Sequence, residues 1–398
     1  MHEFYLYFFT KKCYNYKKDY LGDKMIVDLQ LEDAIQFNKL KETMHYNTLF
    51  TKVLANYLNY NSLTINKKII SAFKKEVNIN DEEAFYHLFY SFFIDELSIS
   101  KNEKDALDIY LKNTIKLLKR EDYFNNAYSL RINVNNKEYK NWSFKNEEYD
   151  CYQGFIYNET FVDEMNYFLE IPSFGFFNKK FNYLAVLENK REWMTITPNE
   201  INTMQKAIDE ANGNVITFGL GLGYYPYMVS LKDDVKNVTI VEKDPNVIDM
   251  FTKNILPLFP NGDKIKIVNE DAFEFLKDNN LIDFNYVFVD IWHDVKDGIF
   301  LYLKFKAIED NYSLTFNYWI ENEMILMLRK IIIRLIDENI SNIDSLNVKS
   351  NNDKLNELYT NVYYCLLNTK LNSYYDIFKL LKKDSLQILA KFIYKKGE

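Results

Sequence analysis

An apolar run that begins near Val215 ends in Phe218-Gly219-Leu220-Gly221-Leu222-Gly223, and a helical pattern follows at once. No other feature of the chain restricts its fold so tightly. Glycines at alternate positions between a strand and a helix describe a turn whose backbone takes positive φ and lets a ligand approach to contact distance. The surrounding chain keeps the same rhythm. A helix over about 199–212 leads into VITFG, one through 227–231 precedes VTIVE, one over 245–258 precedes IKIVN, and a short one over 272–277 precedes YVFVD. Strands alternating with helices in this way predict an α/β fold with a doubly wound, mostly parallel sheet.

Acids follow the strands at positions that matter. The spacing GxGxG differs from the dinucleotide pattern GxGxxG, in which the third glycine comes one residue later. Glu242 closes VTIVE, where a carboxylate can accept both hydroxyls of a ribose. After IKIVN comes Glu270-Asp271-Ala272, and Asp271 with the Ala272 N–H offers an acceptor and a donor to an adenine ring. YVFVD ends at Asp290, followed by Ile291-Trp292-His293-Asp294. An acid, a base and an aromatic gathered at the carboxyl end of a strand suit catalysis, with Asp290 and His293 the candidates and Asp294 equally suited to capping the next helix.

Taken together, these motifs resemble a class I S-adenosylmethionine-dependent methyltransferase, and the run is most similar to the spermidine-synthase-like branch, over roughly 193–320. The resemblance implies a Rossmann-like sheet in which Gly219, Gly221 and Gly223 wrap the amino-acid end of S-adenosylmethionine, Glu242 holds the ribose, Asp271 and Ala272 the adenine, and Asp290 the reacting end. Thr217, two residues before the first glycine, is similar to the neutral residue of that branch, whereas Asp290-Ile291-Trp292-His293-Asp294 stands where aminopropyltransferases have an Asp-Ser-Ser-Asp-Pro type sequence. The reading that follows is methyl transfer to a small-molecule or protein acceptor. Aminopropyl transfer from decarboxylated S-adenosylmethionine and a non-catalytic cofactor-binding module are the alternatives. Trp193 and Glu200, in the segment before the first helix, are further candidates to line the site, and Tyr224, Tyr225 and Trp292 to pack on the cofactor.

Outside this unit the pattern is plainer. Helical spacing from Leu31 to Leu118 predicts a helical region over 1–125, with Asn80-Asp81-Glu82-Glu83 as a helix start. Short β-rich pieces (SLRINV, KEYKNWSF, YDCYQGFIY, FNYLAVLE) predict a small antiparallel unit over 126–192. The Rossmann-like domain is expected over 193–320 and a C-terminal helical extension over 321–398. His45 and His87 read as ordinary helix residues. Three cysteines without ligand spacing imply no metal site. A formal net charge of −8 argues against a nucleic-acid footprint, despite the basic run at 11–18. The apolar start is too short to span a membrane and lacks a signal peptide's charged lead, which points to the cytoplasm. The aromatic-rich helices are compatible with a homodimer.

Overall fold

The structure, a computed structural model, describes residues 25–97, 101–112, 114–134, 136–278, 281–345 and 352–394; the N-terminal apolar and basic runs and Cys13 lie outside them. A short strand, β1 (Ile26–Val27), precedes four helices: α1 (Leu31–Asn56), α2 (Lys67–Val77), α3 (Asp81–Leu97) and α4 (Lys101–Lys112). The start of α3 is set locally. The Asn80 side chain accepts from the Glu83 N–H at 2.9 Å while the Glu83 carboxylate accepts from the Asn80 N–H at 3.0 Å, a reciprocal cap. His45 and His87 are exposed on these helices.

The next elements are β2 (Ile115–Leu117), α5 (Arg120–Phe124), α6 (Ala127–Arg131), β3 (Glu138–Tyr139), β4 (Trp142–Tyr149), β5 (Gly154–Asp163), β6 (Leu169–Phe176), β7 (Phe181–Glu188) and β8 (Arg191–Thr195). Two details depart from the sequence pattern. Ile115–Leu117 leaves the helical register and pairs with β6, because the Leu117 N–H finds the Glu82 carboxylate and the Leu118 N–H the Phe176 carbonyl. Ser129–Arg131, read as strand, is helical because the Asn126 side chain accepts from the N–H groups of Tyr128 and Ser129 and starts a helix there. In place of one antiparallel unit there are two sheets. One has the order β2-β6-β5, with β2 parallel to β6; the other, β3-β4-β7-β8, is antiparallel throughout. Phe50 of α1, Tyr57 just after it, and Phe85, Phe89 and Phe93 of α3 join Phe174 and Phe176 of β6 in an aromatic core of their own.

The remaining chain builds the α/β unit: α7 (Pro198–Glu210), β9 (Gly213–Phe218), α8 (Tyr224–Ser230), β10 (Val235–Glu242), α9 (Pro245–Asn254), β11 (Ile265–Asn269), α10 (Ala272–Asp278), β12 (Tyr286–Val289), α11 (Val295–Glu309), β13 (Phe316–Tyr318) and α12 (Glu321–Ile340). Its five strands are all parallel, in the order β11-β10-β9-β12-β13. This is the doubly wound, Rossmann-like arrangement, with a fifth strand that the sequence pattern does not reveal. The chain moves outward from β9 to β10 and β11, then returns to β12 on the other side of β9. A crevice opens at the carboxyl ends of β9 and β12, the place where ligands bind in open α/β sheets.

The C-terminal helices are α13 (Asp353–Leu366), α14 (Tyr374–Leu381) and α15 (Lys383–Ile393), with β14 (Lys370–Leu371) pairing in parallel with β1. The apolar run at 375–394 divides at Lys382, whose extended backbone (ψ 149) separates α14 from α15. Among the described residues no helix is long and apolar enough to cross a membrane.

Candidate functional site

The glycine turn lies at the head of the crevice and is held from three sides. Gly219, Gly221 and Gly223 all have positive φ (98°, 53° and 73°). The Gly219 N–H donates to the Val241 carbonyl at 2.9 Å, and the Asp290 N–H donates to the Phe218 carbonyl at 2.8 Å, so the ends of β9, β10 and β12 are tied together. A side chain on Gly219 would place its Cβ 1.8 Å from the Asp290 carbonyl oxygen. Glu242 locks the turn from below: its carboxylate accepts from the Leu220 N–H at 3.2 Å and from the Asp244 N–H at 2.8 Å. Burial raises the Glu242 pKa, and these two N–H groups oppose that shift.

In front of the turn is a cavity of about 1150 Å³. It is lined by Gly219, Gly221, Glu242, Asp271, Ala272, Asp290 and His293, and also by Glu200 and Trp193. Strand order fixes their sequence across the crevice. Asp271 follows β11, Glu242 ends β10, the glycines follow β9 and Asp290 follows β12. A ligand lying across the four strand ends spans about 14 Å, three strand spacings, and meets them in that order. Gly223 sits behind, at the start of α8, where a Cβ would strike Phe251.

Each predicted residue has a definite situation. Asp271 is exposed and caps α10, accepting from the Phe273 N–H at 2.9 Å, while Ala272 is buried beside it. Asp290 faces the cavity; burial, then the nearby Glu242 charge, push its pKa up to about 7. His293 is on the rim, its side chain 67% exposed and its Nδ1 3.3 Å from the Asp297 carboxylate. Asp294 caps α11 in a reciprocal box with Asp297. Tyr224 and Tyr225 do not reach the cavity. The Tyr224 hydroxyl accepts from the Asn126 amide at 2.8 Å, and Tyr225 is buried in a stack on Phe288 at 4.2 Å, because both belong to the inward face of α8.

Two features of the site go further than the sequence pattern, which offers Glu200, Trp193 and Trp292 but not Trp142 or Trp319. The first is the weight of Glu200, at the third position of α7, whose pKa is pushed up to about 8 by burial and by the Asp290 charge. It lines the same cavity as Asp290 and is contributed by a helix outside the sheet. The second is tryptophan. All four tryptophans of the chain, Trp142, Trp193, Trp292 and Trp319, line this cavity. Trp142 and Trp193 meet edge to face at 4.6 Å, and Trp319 donates from Nε1 to the Thr203 hydroxyl at 2.9 Å. Aromatic faces beside carboxylates form a place for organic cations.

The raised acids make stability depend on pH. An unfolded chain ionises Glu200 and Asp290 at ordinary values, whereas the folded protein keeps their protons up to about 8 and about 7. The folded state therefore binds more protons across that interval, and stability falls as pH rises through it. Thermal melts of the ligand-free protein from about pH 5 to about pH 9 should show this decline, with a shallower slope in Glu200→Gln.

Residues 199–308, a little over a quarter of the chain, match the model of the spermine/spermidine synthase domain. The crystal structure of spermidine synthase from Thermotoga maritima aligns at 14% identity with a TM-score of 0.27, over 41% of this chain and 60% of that one. A spermidine synthase in complex with the transition state analogue AdoDATO aligns at 14% identity and a TM-score of 0.27, over 46% of this chain and 69% of that one. The chain thus spans less than two thirds of the first of these proteins. No curated protein sequence matches it. The matched segment contains the glycine turn, Glu242, Asp271, Asp290 and Glu200.

Proposed function

We propose that the chain transfers the 3-aminopropyl group of decarboxylated S-adenosylmethionine to an amine acceptor. The observation that carries this reading is the pair of buried acids at the β12 end of the crevice, Glu200 and Asp290, which face the space that the donor's tail enters and which an ammonium there would draw into their ionised forms. The lysines among the described lining residues, Lys243, Lys277 and Lys304, follow β10 or belong to α10 and α11, and none comes from α7 or from the segment just after β12. S-adenosylmethionine would bring its own carboxylate beside these acids, which opposes their ionisation in a poorly solvated site. The decarboxylated donor brings the same ammonium without the carboxylate. The family match over 199–308 favours the same choice over methyl transfer.

The donor supplies an activated carbon next to its sulfonium. In the transfer the acceptor nitrogen attacks that carbon, the C–S bond breaks, and the thioether departs with the bonding pair. Residues of this chain do the rest. The glycine turn and Glu242 fix the nucleoside, the tryptophans exclude water and accommodate cationic groups, and Asp290 removes the proton from the acceptor nitrogen. A carboxylate whose pKa is close to 7 suits that task near neutrality. His293, exposed and turned to Asp297, is placed to carry the proton from the rim to solvent.

Calorimetric titration with each nucleotide tests the donor. Decarboxylated S-adenosylmethionine is expected to bind at least about tenfold more tightly than S-adenosylmethionine. Glu242→Ala should weaken both about 100-fold, since two charge-assisted hydrogen bonds to the ribose are lost. Tighter binding of the carboxylate-bearing form would overturn the aminopropyl reading in favour of methyl transfer.

A further inference from the structure

Strand β8 does not alternate as a regular strand would. Val186 of β7 is opposite Met194 and Leu187 is opposite Glu192, so Trp193 is an extra residue on β8, a bulge. Successive side chains of a regular strand leave on opposite faces. The bulge breaks that alternation, and the consecutive residues Trp193 and Met194 both line the main cavity.

Met194 ends on the glycine turn itself. Its Sδ accepts from the Leu222 N–H at 3.2 Å, and a Cβ on Gly221 would lie 2.6 Å from both Sδ and Cε. The thioether therefore covers the side of Gly221 that any larger residue would fill. Other N–H groups of the turn are also engaged: that of Gly219 by the Val241 carbonyl, that of Leu220 by the Glu242 carboxylate and that of Gly223 by the Leu220 carbonyl. Successive N–H groups around a residue of positive φ make a concavity that takes anions. Here the two that flank Gly221, those of Leu220 and Leu222, are already used, one by a carboxylate and one by a sulfur. A thioether is a weak acceptor without charge, so it satisfies the N–H while turning an apolar, polarisable surface to its surroundings.

We propose that Met194 is a specificity-determining residue for the donor: by covering Gly221 and taking the Leu222 N–H, it denies the turn to a tail that carries a carboxylate. This rests on the donor reading above and names the side chain that enforces it. The two nucleotides share the sulfonium and the ammonium and differ in one carboxylate, which needs hydrogen-bond donors in a poorly solvated site. With Met194 in place that carboxylate meets a sulfur and a methyl group, whereas the decarboxylated tail has only a methylene at the same point and loses nothing. Met194 precedes the stretch 199–308 that matches the family model, so this selectivity is supplied by β8 and not by the α/β unit.

Calorimetric titration of the wild type, Met194→Ala and Met194→Gln with S-adenosylmethionine, its decarboxylated form and 5′-methylthioadenosine tests the assignment. Methylthioadenosine has no tail and reports on the integrity of the turn. In Met194→Ala the freed Leu222 N–H should strengthen S-adenosylmethionine selectively, lowering the preference for the decarboxylated form at least about tenfold while methylthioadenosine stays within about threefold. Met194→Gln restores an acceptor of similar length at the same N–H, and the preference should return to within about threefold of the wild type. An unchanged preference in Met194→Ala, or equal weakening of all three compounds, would overturn the assignment. A wild type that prefers S-adenosylmethionine fails the donor reading and takes this assignment with it, whereas a wild type that prefers the decarboxylated form equally with and without Met194 strikes Met194 alone.

Discussion

Asp290→Asn should lower the turnover of aminopropyl transfer about 1000-fold, far more than the roughly tenfold weakening of donor binding expected from losing one of the two acids at its tail. The amide has the shape of the carboxylate and preserves the backbone contact to the glycine turn, where the Asp290 N–H meets the Phe218 carbonyl. What it cannot do is take a proton from the attacking amine. The substitution also removes the charge that acts on Glu200, so the Glu200 carboxyl should ionise at lower pH in the variant than the value of about 8 it has beside Asp290. Single-turnover kinetics with pre-bound donor separates the chemical step from binding. A decrease of less than about tenfold would move the proton acceptor elsewhere, with Glu200 the first residue to examine.

Gly219→Ala should be the most damaging single substitution for the site's architecture. Its φ of 98° is unfavourable for any residue with a Cβ, and the new methyl would fall 1.8 Å from the Asp290 carbonyl oxygen, a backbone atom that cannot swing away. Relief requires β9 and β12 to part at their carboxyl ends, which disturbs the Gly219 bond to Val241 and the Leu220 bond to Glu242 together. The combined strain is about 3 to 5 kcal/mol, a drop in Tm of roughly 10 °C for a unit of this size, with loss of donor binding. Gly262→Ala is the matched control. Its Cβ would find nothing closer than 3.7 Å, so Tm should be unchanged or slightly raised. Equal melting of the two variants would show that the turn tolerates a side chain.

How far the sequence reveals this molecule depends on how local each determinant is. The glycine turn, Glu242 and Asp290 are legible because a strand, a turn and a helix in immediate succession define their environment. The helix starts at Asn80 and Pro198 are legible for the same reason. The strand Phe316–Tyr318 is three residues long, too short to display an alternation, and it exists because β12 offers an unpaired edge beside it. The β region divides into two sheets, one of which takes β2 from the end of the N-terminal helices, and no local signal announces that pairing. Tyr224 and Tyr225 follow the last glycine closely in sequence, yet α8 turns them inward, away from the ligand side. The tryptophans show the opposite case. Trp142 is 77 positions before Gly219 and reaches the cavity only because β4 and β8 belong to one sheet that stands over the crevice.

The packing of α15 on α11 bears on what can be cut from this chain and still stand. Leu386, Leu389, Ala390 and Ile393 are buried, Lys391 closes on Asp310 at 2.6 Å, and α11, with Ile299, Tyr302, Leu303 and Phe305 buried, is packed against α15, the last helix among the described residues. The stretch that a domain boundary drawn on family likeness would isolate, 199–308, thus lacks both its outermost strand and the helix that roofs its final crossover. Such a fragment would present an oily flank and a bare sheet edge to water, and should aggregate more readily than the 398-residue chain. The candidate acids lie between Glu200 and Asp290, whereas the cover that shields their sheet from water reaches on to α15, so the part that can be handled alone is longer than the part that resembles a family.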